Sequence, residues 1–173
     1  MATVAFIIGD MVEDSEFEVP YRKLRDSGHQ VMVIGQERGT VTGKQGGTFT
    51  TEFSAQEITP EDVDALVIPG GYSPDKLRTD PQIVELTRQI TRAGKPVAAV
   101  CHGPWLLVEA DVLRGRQVTS YPSVRTDLIN AGARWTDAAV VEDGNLITSR
   151  GPSDLDAFTD TLLQRLTTVP AHH

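Results

Sequence analysis

Short unbroken apolar runs alternate along this chain with longer segments in which apolar residues recur every third or fourth position. The first run, Thr3-Val4-Ala5-Phe6-Ile7-Ile8, shows no polar alternation, the pattern of a parallel strand covered on both faces. An acidic loop from Asp10 to Asp14 follows, and the spacing then predicts a helix from Ser15 to Ser27, with Pro20 early in it and Gly28 as its C-terminal cap. Gln30 to Ile34 reads as a second strand. Thr40 to Thr51, threonines interrupted by Gly43, Gly46 and Gly47, reads as a hairpin excursion.

The alternation resumes with a buried strand, Asp64 to Ile68, that runs into Pro69-Gly70-Gly71. Asp80-Pro81 is an N-cap followed by proline at the first helical position, and Ile83, Leu86 and Ile90 share one face before Gly94 closes the helix. Pro96 to Val100 predicts another strand, His102 to Ala110 a helix, and Pro122 to Ala131 a short helix. Ala139–Glu142 and Leu146–Ser149 flank Asp143-Gly144-Asn145, a hairpin signal. Leu155, Phe158, Leu162 and Leu166 mark a closing amphipathic helix. Strands and helices alternate without a linker or internal repeat, so residues 1–173 are expected to form one doubly wound α/β sandwich, its sheet mainly parallel and covered by helices on both faces.

Composition narrows the functional classes. Of 173 residues, 39% are hydrophobic and 23% charged, which suits a globular chain, and the formal net charge of −8 argues against nucleic acid as a partner. No apolar run is long enough to span a membrane, and the start has no basic, signal-like segment, so a cytoplasmic protein without a membrane partner is expected. One cysteine and four histidines are a thin stock for a metal site, and neither a metal nor a cofactor is expected. His172 and His173 end the chain and read as a tag remnant or a frayed tail.

The candidate chemistry lies where strands end. Ala99-Val100-Cys101-His102-Gly103-Pro104 puts the lone cysteine between an apolar strand and a helix start, with small neighbours that permit the tight turn of a nucleophile elbow. A helix N-terminus would favour the thiolate, and His102 is placed to act as a general base. Gly70 and Gly71 would let backbone N–H groups approach a developing oxyanion. Glu13 and Glu16 follow the first strand, and a carboxyl buried beside sulfur would have a raised pKa and could donate a hydrogen bond to it.

Taken in order, Glu13-Asp14-Ser15-Glu16, Gly43-Lys44, Pro69-Gly70-Gly71, Ala99 to Pro104, Leu113-Arg114-Gly115-Arg116, Thr119-Ser120-Tyr121-Pro122 and Asn130-Ala131-Gly132 resemble the PfpI intracellular protease family. That family sits in a superfamily with the parkinsonism-associated deglycase and the class I glutamine amidotransferase-like folds. The resemblance implies a flavodoxin-like sandwich, Cys101 as nucleophile, Glu13 as its protonated hydrogen-bond partner and His102 as base. It also implies oxyanion donors near Gly71 and His102, and Tyr121 lining the site. In this branch a neighbouring subunit supplies the triad acid from the loop after the glycines. Asp75 holds that place here, one methylene shorter than the glutamate of archaeal members, so a homodimer or hexamer with a shared site is implied.

The expected activity is that of a stress-protective cysteine hydrolase acting on peptides or on glyoxal- and methylglyoxal-derived protein adducts, with glyoxalase-like activity alongside. The alternative is a non-catalytic redox sensor or chaperone that uses an oxidisable Cys101. A glutamine amidotransferase would need a distal histidine that this chain lacks before its extreme terminus, and a flavin carrier would need a hydroxyl-rich phosphate loop after the first strand.

Overall fold

A computed structural model describes residues 1–167; His172 and His173 lie outside them. The strands in chain order are β1 (Thr3–Ile7), β2 (Gln30–Gly35), β3 (Gly39–Thr42), β4 (Thr48–Thr51), β5 (Phe53–Ser54), β6 (Ala65–Ile68), β7 (Val97–Val100), β8 (Gln117–Val118), β9 (Arg134–Trp135), β10 (Val140–Asp143) and β11 (Leu146–Ser149). The α-helices are α1 (Asp14–Asp26), α2 (Ser73–Leu77), α3 (Pro81–Arg92), α4 (Pro104–Glu109), α5 (Arg125–Asn130) and α6 (Leu155–Leu166).

The central sheet runs β10-β11-β7-β6-β1-β2-β5, and every pairing in it is parallel except β10 with β11. It is the flavodoxin-like α/β sandwich the resemblance implies. Alternation along β1 divides the core. Val4, Phe6 and Ile8 face α1 and α6, packing with Phe17, Leu24, Phe158 and Leu162. Ala5 and Ile7 face the other layer, with Ile83, Leu86 and Ile90 of α3 and Leu106 and Leu107 of α4. All five β1 residues are buried, which explains why its sequence shows no polar alternation.

Several sequence readings shift in detail. Pro20 is an interior residue of α1 rather than an early one, and its ring nitrogen leaves the Glu16 carbonyl without the usual helical donor. The glycine-threonine excursion is the antiparallel β3–β4 hairpin, and β10–β11 is an edge hairpin turned at Gly144 and Asn145, with Gly144 at φ +55°. The β8–β9 ribbon, β5 and the one-turn α2 carry too few residues for a period to show, and the sequence reading missed them. The helix expected from His102 begins only at Pro104, because residues 101–103 form the turn itself.

Candidate active site

The C-terminal ends of β1, β6 and β7 converge on one cleft, where open α/β sheets bind ligands. Cys101 leaves β7 at φ +63°, a left-handed conformation that costs a non-glycine residue energy and lifts its side chain off the sheet. The turn is tied on both sides: the Cys101 N–H donates to the Ser149 carbonyl at 3.0 Å, and the Cys101 carbonyl accepts from the Tyr121 N–H at 3.0 Å. Gly103 is required beneath it. A Cβ there would collide with the Ile68 carbonyl of the adjacent strand and crowd that of Val100.

Around the sulfur, His102 Nδ1 lies 3.2 Å from Cys101 Sγ. The backbone N–H groups of His102 and Gly71 both interact with the sulfur and favour its negative form. Gly71 reaches this position at φ +75°, and a Cβ on it would run into the Glu13 nitrogen and the Met11 carbonyl. Its loop is stitched to the loop after β1 by the Tyr72 N–H to the Met11 carbonyl at 2.9 Å and the Glu13 N–H to the Gly70 carbonyl at 3.2 Å. The Gly70 N–H points elsewhere: it donates to Glu16 Oε1 at 2.8 Å and is not free to face a substrate.

The carboxyl beside the sulfur belongs to Glu16, where the resemblance had implied Glu13. Glu16 is wholly buried, and its Oε2 has no hydrogen-bond partner among the described residues. Glu13 is instead the N-cap of α1 and sits at the pocket rim, within 3.4 Å of Gln45 Nε2. Helix geometry explains the exchange. Glu16 is the third residue of α1, and helical side chains lean back toward the N-terminus, so it reaches across the strand ends into the cleft. That spacing was visible in the sequence.

Burial pushes the Glu16 carboxyl up to about 7, with the Gly70 N–H pulling the other way and the nearby Glu13 charge adding to the rise. Burial, and then the negative charge of Glu16, push the Cys101 thiol up as well. An isolated thiol of lowered pKa, as expected from a helix N-terminus, is therefore not what this site holds. Glu16 and Cys101 face one another in a dry setting and share one negative charge far more readily than two. Burial, followed by the charge of Lys44, lowers the His102 pKa, so its ring is neutral near pH 7 and offers a lone pair.

The pocket over the sulfur has a volume of about 440 Å³. Tyr121 stacks on the His102 ring, centroids 5.2 Å apart, and Trp105 meets the same ring edge-on at 4.9 Å, so the imidazole is held from two sides. Ser123 Oγ lies 3.4 Å from His102 Nε2. Asp75 is exposed on α2 and does not line this pocket. Lys44, Gln45 and Tyr72 do line it, and sequence reasoning gave none of them a role, because nothing local shows that the β3–β4 tip folds back over the first strand's loop. His29 lies away from the site and accepts the Ala2 N–H through Nδ1. Among the described residues no group of His, Cys, Asp and Glu side chains is arranged to hold a metal ion, and no helix is long and apolar enough to cross a membrane.

A doubly wound sheet carrying cysteine, histidine and a buried carboxyl at its switch point defines an α/β protein built around a strained strand-to-helix turn that presents a cysteine. The chain belongs to the DJ-1/PfpI family, whose profile matches residues 2–165. It is 46% identical over 155 residues to a deglycase of Pyrococcus abyssi, covering 90% of this chain and 93% of that one. It is 47% identical over 166 residues to protein/nucleic acid deglycase 2 of Escherichia coli, covering 94% and 96%. A solved two-domain protein of Anabaena variabilis, with DJ-1/ThiJ/PfpI-like and ferritin-like domains, superposes with a TM-score of 0.95 at 43% identity. The match covers 96% of this chain but only 48% of that one, so this chain spans about half its length.

Proposed function

We propose that this protein is a cysteine-dependent hydrolase that acts on small carbonyl adducts of proteins, a deglycase, with Cys101 as its nucleophile. The observation that carries the reading is the setting of Cys101 Sγ: a strained elbow, His102 Nδ1 at 3.2 Å, and two backbone N–H groups directed at one point. The names of the relatives support the substrate class. In the reaction the sulfur attacks the electrophilic carbon while neutral His102 accepts the thiol proton. The oxygen that gains charge is met by the His102 and Gly71 N–H groups; the carbon–nitrogen bond then breaks with His102 passing the proton to the departing amine, and water, deprotonated by His102, adds to the carbon and releases the Cys101 sulfur. Glu16, in the place the resemblance gave to Glu13, holds the sulfur's charge in check and is the group that donates to it when protonated. Asp75 of a neighbouring subunit completes the triad in a homo-oligomer.

The test is release of free amine from methylglyoxal-treated peptide, compared with hydrolysis of an unmodified fluorogenic peptide, for wild type and Cys101→Ser. Turnover of the adduct that disappears in the variant is expected. Equal turnover by Cys101→Ser would sink the reading, and preference for the unmodified peptide would make the protein a peptidase.

One observation favours a second reading. Glu16 Oε2 is buried with no hydrogen-bond partner among the described residues, and a protonated carboxyl there, beside the sulfur, would donate to an oxygen of a sulfinate, as a peroxide-sensing cysteine requires. Intact mass after mild peroxide, with stoichiometric dioxidation of Cys101 and no deglycase turnover, would decide for it.

A further inference from the structure

We propose that Lys44 makes this pocket selective for carbonyl compounds that carry a carboxylate beside the carbon attacked, the chemistry of small 2-oxo acids and aldehyde acids. The inference rests on Cys101 being the nucleophile and adds the substrate's charge to that reading.

Among the described residues lining the pocket, Lys44 alone carries a fixed positive charge. It makes no salt bridge among the described residues, although Glu13 and Glu16 line the same space. The first of these carboxylates is turned to Gln45 Nε2, and the second is buried on the Gly70 N–H. The ammonium rests instead over the face of Tyr72, 5.4 Å from the ring centroid. Its charge is felt at Glu16 and His102, which line the same pocket, so it acts on the space where a substrate must sit.

The position is built into the backbone. The Lys44 N–H donates to the Val12 carbonyl at 2.8 Å. Just beyond it, the Asp14 carboxylate receives the Gln45 N–H at 3.0 Å through Oδ1 and the Gly47 N–H at 2.8 Å through Oδ2. Asp14 is itself buried, and a Cβ on Gly43 or Gly47 would strike its carboxylate, so only glycine lets the tip close on it. A lysine on a loose loop would average over many positions. This one is anchored on both sides and lines the same pocket as Cys101.

A protein of net charge −8 repels small anions, so an anionic substrate needs a local cation to approach the sulfur. In the reaction the Cys101 thiolate forms a bond to the carbonyl carbon, and the carbonyl π pair moves to its oxygen. A proton from solvent then neutralises that oxygen to a hemithioacetal. The carboxylate stays ionised opposite Lys44 throughout.

Iodoacetate and iodoacetamide test this without turnover. Both form an Sγ–CH₂ bond and expel iodide, they are nearly the same size, and only the first is charged. The ratio of their rates cancels any change in the thiolate population. Relative to the urea-unfolded chain, the folded protein is expected to favour iodoacetate about fivefold, the strength of one partly exposed ion pair. Lys44→Met should bring the ratio down to the unfolded value, Lys44→Arg should keep it, and added salt should erode it. A wild-type ratio no higher than that of the unfolded chain, or one that survives Lys44→Met, overturns the inference and leaves the nucleophile standing. Failure of both reagents up to pH 10 would remove the nucleophile, and with it the proposed function as well.

Discussion

The Glu16 carboxyl accepts the Gly70 N–H through one oxygen while its other oxygen is buried with no hydrogen-bond partner among the described residues, in electrostatic contact with Cys101. Because the two groups meet in one buried space, each group's ionisation opposes the other's and their protons are linked.

Alkylation of Cys101 by iodoacetamide should therefore rise in two steps with pH. The first is expected near 7, where the pair loses its first proton, and the second far above it. Glu16→Gln removes the shared proton and should leave a single inflection. A two-step profile that persists in the variant would show that the carboxyl and the thiol titrate independently.

The same carboxyl makes folding stability depend on pH. Its folded pKa is raised above the unfolded value, so its contribution is fully present below about 4.5 and is lost as pH rises through about 7. Between pH 5 and 8.5 wild type should lose at most about 3 kcal/mol from this group, the loss being smaller if sulfur takes up the charge. Urea denaturation of Glu16→Gln, which stays neutral, should show that slope removed. Asp154, whose pKa Arg150 depresses, gives up its own contribution only at more acid pH and does not confound this window.

Gly103→Ala should destabilise the fold by about 3 kcal/mol, since its Cβ meets backbone carbonyls that cannot move without bending β6 and β7. Thermal unfolding measures the loss. A variant with wild-type stability would show that the elbow can open at little cost.

Asp14→Ala removes the acceptor of two backbone N–H groups and should cost about 2 kcal/mol. Hydrogen exchange at Gln45 and Gly47 should quicken, while exchange in β6 and β7 should fall only with the global stability. Unchanged protection at the tip would mean that the glycines alone hold it.

If Asp75 serves the neighbouring subunit's site, Asp75→Asn and Cys101→Ser should each be inactive or nearly so alone. Mixed and reassembled, they should recover activity, because half the sites of a mixed dimer then carry both native residues. Lack of recovery, with mixed dimers shown by mass spectrometry, would place the third residue within one chain or remove it.

Much of this was legible in the chain because long elements repeat their pattern. The apolar run of β1, the spacing of Ile83, Leu86 and Ile90 in α3, and the elbow around Cys101 each rest on several residues that agree. The two-residue strands β8 and β9 offer no such agreement, and their pairing is decided by neighbours distant in sequence. The choice between Glu13 and Glu16 turned on which one the start of α1 aims inward, a matter of one helical turn. Lys44 escaped because its place over the cleft depends on Asp14, about thirty residues earlier, gripping the far end of its own hairpin.

The groups gathered around the sulfur come from three separate strand ends: Glu16 after β1, Gly71 after β6, and His102 after β7. None of these segments can place its group until the middle of the sheet has closed. A nascent or half-unfolded chain would therefore carry an ordinary thiol with neither base, amide donors nor coupled carboxyl beside it, and the arrangement as a whole would come into being only on completion of the fold.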